Sequence, residues 1–182
     1  PVKRLQELEH QLRKKRVLIL DYFSHNSGQV KEIRFAPYAL IYRKNAWYLI
    51  GYHVEKAKVL LLRAYRIRNS RLTEEAFELP PNFTVKGFFQ THWEVFDGKP
   101  EPIQLRFTGQ SALRIPEMIW HSSQTLFPQP DQSLLVELEV PVNPEFISWV
   151  LSHGAECEVL APTSLKDKVQ AHIQAMYALY LN

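Results

Sequence analysis

Apolar and polar positions follow one rhythm in the first half of the chain and another in the second. Residues 3–15 (KRLQELEHQLRKK) place Leu5, Leu8 and Leu12 on one face of a short helix. From Arg16 the period shortens to that of strands. VLILDYF (17–23) reads as a strand, and His25-Asn26-Ser27-Gly28 as a turn. VKEIRFAPYALIYR (30–43) is a long strand broken at Pro37, and Lys44-Asn45 turns the chain into AWYLIGYHV (46–54). A polar loop then leads to KVLLLRAYRIRNSRL (58–72), which reads as continuous strand. About five strands without an intervening helix close most economically as a small SH3-like or Sm-like barrel.

After Pro80-Pro81 and a polar stretch to residue 102, helices and strands alternate. IQLRFT (103–108) is a strand and SALRIPEM (111–118) a short helix. QTLFPQ (124–129) and SLLVELEV (133–140) pair around Pro130-Asp131. Asn143-Pro144 opens a helix that Gly154 closes, and AECEVLA (155–161) is a strand. Ser164 and Asp167 have the spacing of a capping box for a final helix with Leu165, Val169, Ile173, Met176 and Tyr180 on one face. This β-α-β-β-α-β-α order predicts a ferredoxin-like α/β sandwich with an added helix. The expected class is therefore α+β. The expected divisions are a connector helix over 1–16, a barrel over 17–80, a linker over 81–102 and a sandwich domain over 103–182.

Charge sharpens that division. Residues 1–80 carry 16 Lys/Arg against 8 Asp/Glu, whereas residues 81–182 carry 6 against 11. An anionic ligand would go with the first half, and a merely solvated basic face is the alternative reading of the same balance. The lone cysteine, Cys157, excludes an intrachain disulfide and reads as a buried thiol, compatible with a reduced cytoplasm. No apolar run reaches the roughly 20 residues that span a bilayer. The sequence contains no phosphate-binding Gly-rich loop, His-Glu-x-x-His, Cys pair or Gly-x-Ser-x-Gly, so the expectation is no enzyme, no metal and no cofactor.

The chemistry lies in residues 43–71. Arg43, Lys44, Lys56, Lys58, Arg63, Arg66, Arg68 and Arg71 face one acid, Glu55, with Tyr42, Trp47, Tyr48, Tyr52 and Tyr65 interleaved. Cationic side chains hold phosphates and aromatic faces stack bases, which suits single-stranded nucleic acid or a nucleotide. The opposing reading is that a small barrel needs aromatics inside. Strand parity puts Trp47, Leu49 and His53 on one face and Tyr48, Ile50 and Tyr52 on the other, and one face must be core. Arg63 and Arg66 point to opposite faces unless a bulge separates them.

Three blocks in order, Arg34-Phe35-Ala36-Pro37-Tyr38, Trp47-Tyr48-Leu49 inside NAWYLIGYH, and Leu62-Arg63-Ala64-Tyr65-Arg66-Ile67, resemble the WYL domain. IQLRF (103–107), Trp120-His121-x-x-Gln124 and FISWVLSHGAECEVLAP (146–162) resemble the C-terminal extension that follows many WYL domains. The resemblance implies an Sm-like barrel that binds an effector, single-stranded DNA in some members. It further implies homodimers and control of transcription in bacterial stress or defence. An N-terminal helix-turn-helix usual in the family has no counterpart here, so the chain reads as part of a longer protein that meets promoter DNA elsewhere. Carried over, the ligand contacts are Arg34, Tyr38, Trp47, Tyr48, Arg63 and Arg66, with Trp47 otherwise expected in the core. His53 and Arg106 are further candidates, and His53 and His121 also read as structural. Tyr65 departs from the acidic residue common before Arg66 in relatives. The competing readings are a ligand-free scaffold, a direct nucleic-acid-binding module, and an enzyme with a composite site.

Overall fold

The computed structural model describes residues 2–25, 27–93 and 96–181, so Asn26 of the expected turn lies outside the described residues. The chain divides into two compact units, residues 1–85 and 86–182.

In the first unit, α1 (Val2–Arg13) precedes strands β1 (Arg16–Ser24), β2 (Gln29–Arg43), β3 (Ala46–His53), β4 (Lys58–Arg63) and β5 (Ile67–Ala76). All pair antiparallel in the order β4-β3-β2-β1-β5. Lys44 and Asn45 both have positive φ, 45° and 56°. That is the mirror-image two-residue turn whose twist matches a tight hairpin, and it pairs Tyr42 with Trp47. The break expected at Pro37 is a register shift between Pro37 and Ala39 that bends the long β2.

Two expectations need correction here. No pairing joins β4 to β5 among the described residues, so the sheet is open rather than a closed barrel. The stretch 58–72 is two strands, because Ala64–Arg66 forms a 3-10 turn that redirects the chain from one sheet edge to the other. Its anchor is Ala64, which is buried between Leu62 and Ile67 in a core with Leu8, Leu18, Leu20, Phe35 and Leu49.

A short helix α2 (Val85–Phe88) begins at the last residue of the first unit, and in the second unit a two-stranded piece, β6 (His92–Trp93) and β7 (Phe96–Asp97), precedes the main sheet. The sheet comprises β8 (Glu101–Phe107), β9 (Thr125–Pro128), β10 (Leu134–Val140) and β11 (Cys157–Ala161), in the order β11-β8-β10-β9. Its helices are α3 (Gly109–Arg114), α4 (Pro144–Ser152) and α5 (Thr163–Tyr180). The alternating burial of β10 supplies Val136 and Leu138 to a core with Leu105, Phe107, Phe146, Val159 and Trp93. Trp93 therefore belongs to this core, although it falls in the stretch expected as linker.

Asn143 caps α4 as expected, its side chain accepting the Phe146 N–H at 2.9 Å with Pro144 in the first turn. The expected capping box on α5 does not form. The helix starts at Thr163, Pro162 occupies the cap position, and the Pro162 carbonyl accepts from the Leu165 and Lys166 N–H groups. Cys157 is half-buried against the core rather than within it, and burial pushes its thiol up to about 12, which keeps it protonated and unreactive.

Candidate functional site

The tight β2–β3 hairpin, the 3-10 turn after β4 and the first turns of α1 enclose a cleft of about 810 Å³ in the first unit. That volume lies in the range of small-ligand sites. Trp47 stands on its lip, 40% exposed and packed against Tyr42 with ring centroids 5.4 Å apart. The core position expected for Trp47 is thus not observed. The reason is the hairpin, which puts Trp47 one residue from the turn, beyond the end of the packed layer. Tyr65 lies in the 3-10 turn and is 76% exposed. The turn buries Ala64 and so throws the next side chain outward into the cleft.

Arg63 ends β4 and lines the same cleft. Tyr48 faces it directly across the β3–β4 ladder. The Arg63 guanidinium donates to the Tyr48 hydroxyl at 3.3 Å, with its carbon 5.6 Å from the Tyr48 ring centre. The Arg63 backbone N–H donates to the Tyr22 hydroxyl at 3.3 Å. Tyr48 is only 5% exposed, so its ring is a support for Arg63 rather than an open stacking surface. Neither partner is a carboxylate, and the Arg63 guanidinium forms no ion pair among the described residues.

The basic residues of the unit sort into two groups. Arg16, Arg34 and Arg71 pair with Glu74, Glu75 and Glu32 on exposed strand surface. Exposed pairs of this kind contribute little stability, but they neutralise the face that carries them. Around the cleft, Lys3, Arg4, Arg63 and Arg68 face one carboxylate, Glu7. Among the described residues none of these four cations forms an ion pair. Arg4 donates to the Ile67 carbonyl, and Arg68 lies 5.5 Å from the ring of Phe23. The cleft therefore combines clustered positive charge with two exposed rings.

Of the residues singled out from sequence, the structure brings Trp47 and Arg63 into the cleft, with Tyr48 immediately behind. Arg66, half-buried in the 3-10 turn, does not line the cleft, and its side chain has no hydrogen-bond or ion-pair partner among the described residues. The 3-10 turn Ala64–Arg66 interrupts the strand after Arg63, so strand parity does not relate the two arginines, and of the pair Arg63 alone lines the cleft. Arg34 points to the Glu75 ion pair. Tyr38 packs on Phe77 and Phe83 at 5.8 and 4.9 Å, where burial pushes its hydroxyl pKa up.

His53, 5% exposed, sits at the opposite end of β3 from Trp47. Burial lowers its pKa, partly offset by Glu55 at 3.1 Å. Arg106 belongs to the second unit, bound to Asp131 and donating to Ser133 at 3.2 Å. Sequence reasoning missed Lys3 and Arg4, read only as part of a connector. The available signal was a basic pair opening an amphipathic helix beside a basic sheet. No group of three metal-ligating side chains occurs among the described residues, and none of their helices is long and apolar enough to cross a membrane.

Fold and cleft together define a two-unit α+β protein with a basic, aromatic, ligand-sized hollow in its first unit. The WYL domain model matches residues 3–72 and the WCX domain model residues 99–177, so the chain is a WYL-domain protein, with a WYL domain followed by a WCX domain. No curated protein matches the chain. One similar solved structure is proteasome accessory factor B/C (PafBC) of Arthrobacter aurescens, 23% identical with a TM-score of 0.45, matched over 100% of this chain and 28% of that one. Another is described as a CRISPR Cas-related protein, 12% identical with a TM-score of 0.58, matched over 97% of this chain and 50% of that one. The second likeness is one of fold. The chain spans at most half the length of either solved chain.

Proposed function

We propose that this chain is the effector-sensing region of a bacterial WYL-type transcriptional regulator, and that its effector is a short single-stranded nucleic acid or a nucleotide held in the cleft. Family membership carries the regulatory role. The effector chemistry rests on one observation, the concentration of unpaired cations and exposed rings around a single hollow while neighbouring cations are paired off. Arg63 and Arg66 are the proposed phosphate contacts, and Trp47 and Tyr65 the stacking surfaces. Promoter DNA is met through a domain outside this chain. The open order β4-β3-β2-β1-β5 supports an Sm-like ancestry for the first unit, and β11-β8-β10-β9 a ferredoxin-like arrangement for the second.

Oligothymidylate binding at low salt, followed by fluorescence anisotropy, tests the effector reading. Trp47→Ala is expected to weaken binding by about 1–3 kcal/mol, the range for loss of one base stack. Equal affinity in wild type and variant would remove Trp47 from the site. Absence of binding by wild type would leave a scaffold domain.

We further propose that the chain forms a homodimer. The C-terminal turns of α5 expose Ile173, Met176, Tyr177, Leu179 and Tyr180, more apolar surface than one helix end normally leaves in water. Light scattering should give about 43 kDa, twice the 21.3 kDa of the chain. A stable mass of one chain at high concentration would exclude this pairing for residues 1–182.

A further inference from the structure

One wall of the cleft is not part of the sheet. Lys3, Arg4, Leu5 and Glu7 come from α1, while the remaining lining residues come from the β2–β3 hairpin and the β4–β5 turn. The seat of α1 on the sheet is uneven. Leu8 is fully buried and Leu5 and Leu12 pack partly against the same core. Two polar ties run to β5, from Arg4 to the Ile67 carbonyl and from Gln11 Nε2 to the Ser70 carbonyl. The second is weak, at 3.4 Å. Gln11 is 6% exposed, and its Oε1 has no partner among the described residues. A buried acceptor left unsatisfied destabilises the arrangement that buries it, so this seat is easier to leave than an all-apolar one.

Arg4 belongs to both features, since it ties α1 to β5 and lines the cleft. We infer that α1 is a ligand-responsive wall: an oligonucleotide phosphate in the cleft draws the Arg4 guanidinium from the Ile67 carbonyl, and α1 leaves its present seat. The inference rests on the cleft's being an anion site, as proposed above. An ionised acceptor binds a guanidinium more strongly than a neutral carbonyl does. A ligand shifts a two-state element only through a difference in affinity for the two states. Here that difference is the Arg4–phosphate contact, made in full only when the Ile67 tie is released. The unsatisfied Gln11 lowers the resistance to the change.

Hydrogen exchange across the whole chain, with and without a 5′-phosphorylated thymidine tetranucleotide, reads this directly. In wild type, binding should speed exchange of the α1 amides several-fold. Arg4→Gln should bind more weakly, exchange faster in α1 already when free, and change little on binding. Gln11→Met removes the unsatisfied acceptor at similar volume, so it should slow α1 exchange in the free protein and shrink the response to ligand. Binding that depends on Arg63 but leaves wild-type α1 exchange unchanged would overturn the inference while leaving the cleft reading intact. A full wild-type response in Arg4→Gln would overturn it too. If wild type fails to bind the tetranucleotide, the cleft reading falls and the inference with it.

Discussion

Gly51→Ala is expected to destabilise the first unit strongly while leaving the second as stable as before. Gly51 lies in the middle of β3, opposite Pro37 and Leu60 on the flanking strands. A Cβ at this position would fall inside contact distance of the Ala36 carbonyl oxygen and the Phe35 ring. The first of these is backbone of the neighbouring strand and cannot rotate away. Relief requires β2 and β3 to separate at the bend that Pro37 and Ala39 create. Overpacking costs about 1–3 kcal/mol even where side chains yield, and a backbone obstacle belongs at or above the top of that range. For a unit of this size each kcal/mol lowers the melting temperature by roughly 4–8 °C. Calorimetry should show the transition of the first unit moved down and that of the second in place. A single transition with wild-type midpoint would show that β2 and β3 approach less closely than described.

Arg63→Ala should give the largest loss of ligand affinity of any single replacement in the cleft. Hydrogen bonds to charged groups contribute about 1.5–3 kcal/mol, or roughly ten- to over a hundredfold in affinity. The replacement also frees the Tyr48 hydroxyl, which is buried behind the arginine and loses the bond at 3.3 Å. Tyr48→Phe separates the two contributions, because it keeps the ring beneath the guanidinium and removes only the hydroxyl. Its effect should be a fraction of the Arg63→Ala effect. Equal losses would mean that Tyr48 touches the ligand itself.

The hydrophobic pattern revealed most of the secondary structure because the two halves use different periods, and β10 shows why. Alternating Val136, Leu138 and Val140 leave no alternative to a half-buried strand. The 3-10 turn at Ala64–Arg66 was not legible. Nothing in LLRAYRI breaks the strand pattern, and the bend arises because tertiary packing buries Ala64. That same bend decides the site, since it exposes Tyr65 and separates Arg63 from Arg66. Parity arguments also failed for Trp47 and Tyr48. They assume one wet face, whereas β3 is buried on both sides along most of its length and opens only next to its hairpin. Arg34 was indistinguishable from Arg63 by type and spacing, and only the fold shows that Glu75 meets one and not the other. The second unit's capping box illustrates the reverse error. Ser164 and Asp167 have the right spacing, yet the chain enters the helix through Pro162.

Phosphate held at Arg63 in the cleft should make oligonucleotide affinity fall steeply as salt rises. Each phosphate neutralised on a single strand steepens the plot of log affinity against log salt by roughly 0.7. Wild type should show a steep slope, and Arg63→Ala a slope flatter by about that amount. Arg34→Ala should keep the wild-type slope, because Arg34 is already paired with Glu75. A wild-type slope near zero, or one unchanged by Arg63→Ala, would mean that Arg63 holds no phosphate.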